Sequence, residues 1–247
     1  MRIALIGDVH ANLPALEAVL NDARQRGAEE IWNTGDFVGY NAFPDQVVQR
    51  IRTEVTATVI GNYDLKVLRF PSKSEKWRKK KWPEKWFAFK WTYEQLSLES
   101  REYLAALPEQ RRLRTEGRDI LLVHGSPVSL DEHLYVDTPE ERLMELAELA
   151  EADLVVCGHS HQGFARETVG SIFVNAGSVG RPDDGDPRAA YAMLEIDGSS
   201  IVVHHNRVAY DIEAAVAEMR QHGLPSAFEE MIRQGRNLDW VIGTSNR

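Results

Sequence analysis

"RIALIGDVH", residues 2–10, is the stretch on which the fold reading turns. An apolar run from Ile3 to Ile6 halts at Gly7, and a carboxylate and an imidazole follow, Asp8 and His10. The same plan returns in "EIWNTGD" (30–36), "TATVIGN" (56–62), "DILLVHG" (119–125) and "DLVVCGH" (153–159). Short apolar, β-branched runs of this length, stopped by glycine, read as buried strands. Every one of them ends beside Asp, Asn or His.

Helical patterns fall between these strands. Asn12 is placed to cap a helix with Pro14 in its first turn and Leu16, Val19, Leu20 and Ala23 on one face, and Gly27 ends it. Thr138, Pro139 and Glu141 read as a capping-box start for a helix over 140–151. Strands alternating with helices imply right-handed crossovers and a parallel sheet, in which ligands sit beyond the carboxyl ends of the strands. The loaded ends therefore converge. After His161 the pattern changes to hairpins, one turning at Gly170 and one at Asp197-Gly198, which predict a second, largely antiparallel sheet. The tail from Asp211 is helical and broken at Pro225.

With 247 residues and 43% hydrophobic content, the expectation is one α/β domain over 1–247. The net charge of −9 argues against a protein built mainly to hold polyanions. The lone cysteine, Cys157, sits in an apolar run and reads as a buried thiol in a reducing compartment. "IALIG" is too short for a signal h-region and no later run approaches membrane-spanning length, so a soluble cytoplasmic protein without membrane association is expected.

One stretch breaks the acidic balance. Between Lys66 and Lys90, Lys and Arg residues face only Glu75 and Glu84, with Trp77, Trp82, Trp86 and Phe87 interleaved. It reads as an insertion or lid at about 66–91. Two roles are open: a solvated amphipathic helix with its tryptophans on the core, or a cap offering cations to phosphate and aromatic faces to a base. The second would suit a phosphate-ester small molecule or nucleotide, and would also admit single-stranded nucleic acid.

The donors at the strand ends are Asp8, His10, Asp36, Asn62, His124, His159 and His161, and four of the eight histidines are among them. Mixed carboxylate and imidazole donors suit Mn²⁺, Fe or Zn²⁺ better than Ca²⁺. Seven donors exceed what one ion needs, so two ions sharing a carboxylate form the economical arrangement, suited to phosphoryl displacement. Asn62 then serves as a neutral ligand. His204, His205 and His222 are assigned no catalysis.

"GDVHAN", "GDFVGY", "GNYD", "HGSP", "GHSH" and "NAGSVGRPDDGDPRAAYAML" occur in order from the N-terminus to about Leu194. This succession resembles the motifs of the calcineurin-like metallophosphoesterases, especially their small prokaryotic phosphodiesterase branch. The resemblance implies a four-layer α/β/β/α sandwich of two mixed sheets. It places Asp8, His10, Asp36 and His161 on a first metal, and Asp36, Asn62, His124 and His159 on a second, with Asp36 bridging. It implies a metal-bridging hydroxide as nucleophile and two divalent ions, Mn²⁺ foremost, with Fe, Zn²⁺ or Ni²⁺ as alternatives.

Three departures qualify what the resemblance implies. Tyr63 stands where many members have a histidine that protonates the leaving group, and a phenol with a pKa near 10 is a poor acid at neutral pH. Poor leaving groups should then be slow, which favours phosphodiesters. Asp64 beside it is read either as support for the site or as a turn cap, so the catalytic candidates are Asp36, Tyr63, Asp64 and His124. "GDFVGYNAFP" lacks the arginine-bearing continuation of protein phosphatases, and Ala176 replaces a frequent proline, in a loop that Asn175 and Ser178 could shape. Rival expectations are a phosphatase on phosphoprotein or a dinucleoside polyphosphate, with Tyr63 or His133 as acid, and a catalytically weak metal-binding scaffold.

Overall fold

The computed structural model describes residues 1–198 and 200–245. Its strands are β1 (Arg2–Ile6), β2 (Glu30–Asn33), β3 (Ala57–Thr58), β4 (Gln110–Thr115), β5 (Arg118–Val123), β6 (Leu154–Cys157), β7 (Phe164–Thr168), β8 (Ser171–Asn175), β9 (Ala189–Asp197) and β10 (Ser200–Val208). Its helices are α1 (Leu13–Gln25), α2 (Pro44–Glu54), α3 (Asn62–Leu68), α4 (Phe70–Arg78), α5 (Pro83–Gln95), α6 (Leu98–Ala106), α7 (Glu140–Ala150), α8 (Ile212–Gln221), α9 (Ser226–Gln234) and α10 (Leu238–Ser245).

Among the described residues the strands form two five-stranded mixed sheets, ordered β10-β9-β1-β2-β3 and β4-β5-β6-β8-β7. Strand periodicity explains how they stack. Ile3 and Leu5 of β1 and Trp32 of β2 share a cluster with Ile120, Leu122, Leu154 and Val156 of the second sheet, so these faces meet. The alternate residues Ala4 and Ile6 turn outward onto Leu16 and Val19 of α1, Val47 of α2 and Val216 of α8. On the far side Leu121, Val123 and Val155 pack on Leu143, Leu146 and Ala150 of α7. Both faces of each central strand are covered, which is why the strands read as continuous apolar runs. Each fully buried Val, Leu or Ile contributes about 1.5–3 kcal/mol. The result is the α/β/β/α layering. No helix among the described residues is long and apolar enough to cross a membrane.

Helix α1 starts as its sequence predicts: the Asn12 side chain accepts from the Ala15 amide at 3.2 Å, and Gly27 follows its end with φ +80°. Helix α7 starts differently. Pro139 occupies the cap position with no side-chain cap, because the Thr138 hydroxyl accepts from the Tyr135 amide at 2.8 Å instead. Glu140 and Glu141 still favour that helix end through their charge.

The expected second, hairpin-built sheet does not form. The β7–β8 hairpin joins β6 through parallel pairing of β8, and the β9–β10 hairpin joins β1 through antiparallel pairing of β9. Each hairpin completes one edge of a mixed sheet. Strand β4, exposed along most of its length, pairs with β5 and closes another edge.

Candidate metal centre

The pairings β1–β2–β3 and β5–β6–β8 are parallel, so the carboxyl ends of each set lie together. From the first sheet these ends present Asp8 and His10 after β1, Asp36 after β2 and Asn62 after β3. From the second they present His124 after β5, and His159 and His161 after β6. Face-to-face stacking brings the two sets to one seam, where the His159 amide donates to Asp8 Oδ2 at 3.0 Å. The strand-stopping glycines make this approach feasible. Between the sheets, a Cβ on Gly158 would lie 2.8 Å from Asp8 Oδ2, and within the first sheet one on Gly61 would lie 2.1 Å from Asp36 Oδ1.

The donors gather into two groups, Asp8 with His10 and His161, and Asp36 with His124 and His159, each within 4.8 Å. Each group takes residues from both sheets. Asp36 lies between them: Oδ2 is 3.7 Å from His10 Nε2 and Oδ1 is 3.5 Å from His124 Nε2. His161 Nε2 lies 3.2 Å from Asp8 Oδ1 and 3.2 Å from His10 Nε2.

Hydrogen bonding on the far side of three rings fixes what they present. His10 Nδ1 faces the Val38 carbonyl at 3.2 Å, His124 Nδ1 the Thr34 carbonyl at 2.9 Å, and His161 Nδ1 the Arg181 carbonyl at 2.7 Å. A carbonyl only accepts, so Nδ1 carries a proton and, in its neutral form, each ring turns an Nε2 lone pair inward. Lone pairs then face lone pairs at 3.2 Å. Asp8 Oδ1, His124 Nε2 and His159 Nε2 are buried without a hydrogen-bond partner. Divalent cations would satisfy all of these atoms at once, and the residues present fit them.

Charge states agree with that reading. Burial pushes His10 well below its ordinary value, with Arg181 and His161 adding to the effect. Burial, then His124 and His133, lower His159 to about 3. These imidazoles are neutral at neutral pH, the form that binds metal. Burial would raise the Asp8 carboxyl, but without a metal any proton taken up by the facing imidazoles, His161 foremost, outweighs it and holds the carboxyl well below the usual range. Asp36 moves the other way, to about 7, through burial and the charge of Asp8.

The backbone is strained at the same positions. Asp8, His10, Asp36, His159 and His161 all have left-handed φ, between 46° and 66°. Concentration of such conformations in one place marks a functional site. Behind them, Asn175 Nδ2 donates to the Gly158 carbonyl at 2.6 Å and the Ser178 hydroxyl to the Asp8 carbonyl at 2.8 Å, which shapes both loops.

Asn62 opens α3, and its Nδ2 donates to Asp131 at 2.6 Å, leaving its amide oxygen as the free acceptor. Asp64 is buried and accepts from the Gly61 amide at 2.9 Å and the Val38 amide at 3.2 Å. It ties two loops together rather than facing the cleft. The Tyr63 ring packs between Tyr40 and Phe89, at centroid distances of 4.8 and 4.7 Å. Burial, reinforced by Tyr40, raises its phenol well above the ordinary value.

A cleft of about 300 Å³ opens over the centre, reached by His10, Asp36, Asn62, His159 and His161 and walled by Tyr40, Tyr63 and Phe89. Three residues that the sequence reading undervalued stand in or beside it. The Arg181 guanidinium lies 3.3 Å from His161 and 4.7 Å over the Tyr40 ring. His133, offered by the sequence as an alternative acid, has its ring centroid 3.9 Å from that of His159 at a 39° tilt and lines the cleft. Asp131 orients Asn62, and the hydrogen bonds from Asn62 and Lys66 overcome burial to lower it to about 2. Only the appearance of "RPDDGD" and "DEH" after loaded strands hints at them in sequence. His204 and His222 lie outside the cleft, as does His205, which lines a separate cavity.

The calcineurin-like phosphoesterase superfamily domain model matches residues 1–222. Escherichia coli phosphodiesterase YfcE is 30% identical over 218 residues, covering 82% of this chain and 91% of that protein. An uncharacterized Methanocaldococcus jannaschii protein, MJ0912, is 31% identical over 95% of this chain and 98% of its own length. The structure of a metallophosphoesterase from Sphaerobacter thermophilus superposes with a TM-score of 0.77 at 32% identity, covering 95% of this chain and 99% of that one.

Proposed function

The chain belongs to the calcineurin-like phosphoesterase superfamily, and we propose that it is a phosphodiesterase working with two divalent ions, Mn²⁺ foremost and Fe, Zn²⁺ or Ni²⁺ as alternatives. The observation that carries this reading is the inward-facing set of buried lone pairs on Asp8, His10, His124, His159 and His161. Asp8, His10 and His161 would hold one ion, Asn62, His124 and His159 the other, with Asp36 shared. Such ions, when bound, supply Lewis acidity and lower the pKa of a water placed for in-line attack.

The chain's own groups account for the rest. The backbone carbonyls behind His10, His124 and His161 keep their lone pairs aimed inward. Arg181, at the cleft wall, would meet charge building on the transferring phosphoryl oxygens. Tyr63 retains its proton too firmly to give it to a leaving alkoxide, so esters with good leaving groups are favoured. The helices over 66–91 would cap the cleft, to which they contribute Lys66, Lys81 and Lys85.

His133 favours a second reading, a phosphatase on phosphoprotein or a dinucleoside polyphosphate, since it lines the cleft where an acid would be needed. The test is hydrolysis of a nitrophenyl diester and its matching monoester by chelator-stripped protein, with and without Mn²⁺. Metal-dependent turnover favouring the diester is expected. Turnover favouring the monoester would select the second reading, and stoichiometric metal uptake without turnover would leave a scaffold.

A further inference from the structure

Four Lys and Arg side chains line the cleft, and among the described residues one of them is met by neither a carboxylate nor an imidazole. Lys66 Nζ pairs with Asp131 at 2.9 Å, and Lys85 Nζ pairs with both oxygens of Asp239 at 3.0 Å. Arg181 belongs to the metal centre through His161. Lys81 differs. Among the described residues no carboxylate lies within ion-pair distance of it, and its ammonium sits 5.6 Å over the rings of both Trp77 and Phe89.

An ammonium held on aromatic faces keeps its charge while its remaining N–H donors point elsewhere. Burial, and then the neighbouring charges of Lys66 and Lys85, make its protonated form costly, and Asp131 opposes this only in part. Lys66 and Lys85 are each offset by a carboxylate, Asp131 and Asp239, so Lys81 is the ammonium whose charge is left for an arriving anion to meet. The cleft is at the low end for small-molecule sites, a size that matches a substrate of about nucleotide dimensions carrying both the anion and the reacting ester. Phosphate, multiply charged and rich in acceptors, is the group that matches clustered ammoniums best.

We propose that Lys81 centres a second anion subsite in the cleft, and that the substrate carries a further phosphate besides the ester that reacts. This rests on the phosphoesterase reading. Trp77 and Phe89 hold Lys81 in place, and Lys66 and Lys85 add to the field.

The experiment compares two substrates on the Mn²⁺-loaded full chain: the nitrophenyl ester of thymidine 5′-phosphate, with and without a 3′-phosphate. The wild type should prefer the 3′-phosphorylated ester in kcat/KM. In Lys81→Met, which keeps the apolar stem on its rings, that preference should fall about tenfold, the worth of one charge-assisted hydrogen bond. Lys81→Arg should retain most of it. An absent preference in the wild type, or one unchanged in Lys81→Met, overturns the subsite.

If neither ester is hydrolysed, the phosphoesterase reading fails, and the subsite is judged by calorimetry of thymidine 3′,5′-bisphosphate with metal-stripped protein. Binding about tenfold weaker in Lys81→Met sustains it. Equal binding, or none to the wild type, overturns it.

Discussion

The strand-end loops and the α4–α5 hairpin border the same cleft and are built on opposite terms. The loops are buried, left-handed at five donors and bound to one another by backbone amides. The hairpin is charged and leaves Lys73, Lys76, Arg78, Lys79 and Lys80 exposed, with Trp77 and Trp86 half-buried on the core. Donor atoms that must meet an ion within tenths of an ångström belong on a rigid frame, whereas selection among substrates tolerates a movable surface. If the hairpin selects substrate as proposed, the difference teaches that chemistry and choice of substrate should be separable by mutation.

The largest effect should come from the frame. Asp36→Ala removes the carboxylate lying between both donor groups, and should lower hydrolysis by on the order of 10³ with loss of bound metal. Unchanged metal content by elemental analysis would break the comparison at its strongest point. Tyr63→His comes next, since it supplies a titratable acid beside the centre: turnover of monoesters with poor leaving groups should rise by roughly 10². A flat leaving-group dependence in both proteins would remove Tyr63 from the account.

Asp131→Ala probes the support that holds Asn62 at the start of α3. Releasing the Asn62 amide should weaken metal binding by about 10–100-fold, as loss of an orienting partner does. Asp131→Asn should recover part of this, because an amide oxygen can still accept.

The pH dependence is sharper but smaller. In metal-stripped protein Asp36 is protonated below about 7 and ionised above it, and a cation needs the ionised form. Metal affinity should therefore be level above about pH 7 and fall by up to about tenfold per unit below it, measured by competition with a chelator of known pH dependence. An affinity level down to pH 5 would place Asp36 outside the binding step.

The smallest effect belongs to the outer hairpin. Lys79→Ala alters an exposed cation away from the cleft, so stability should stay within about 0.5 kcal/mol and metal content should not move. A loss of metal there would show that the hairpin is part of the frame.

Much of the frame is legible in one dimension because strand ends announce themselves. An apolar run cut by glycine beside Asp, Asn or His locates Asp8, Asp36, Asn62, His124 and His159 without any knowledge of packing. What escapes is pairing over distance. The β7–β8 and β9–β10 hairpins are readable locally, but nothing local says that they join β6 and β1. Strand β4, "QRRLRT", is an exposed edge and lacks the apolar alternation that marks the others. Asp131, His133 and Arg181 acquire their places only through loops whose course the whole fold decides. Thr138 shows the same limit on a smaller scale, since its hydroxyl had a nearer amide than the one its spacing implied.

Because each donor group draws on both sheets, the seam can act as a gauge of how the layers sit. A slip of one sheet by a single residue, about 3.3 Å, would spoil both groups together, since neither is assembled from one layer alone. On the proposed two-ion reading, release of both ions under denaturant should coincide in a single step with the parting of the layers. Metal release then reports sheet-to-sheet registry, a mechanical property that secondary-structure probes do not see.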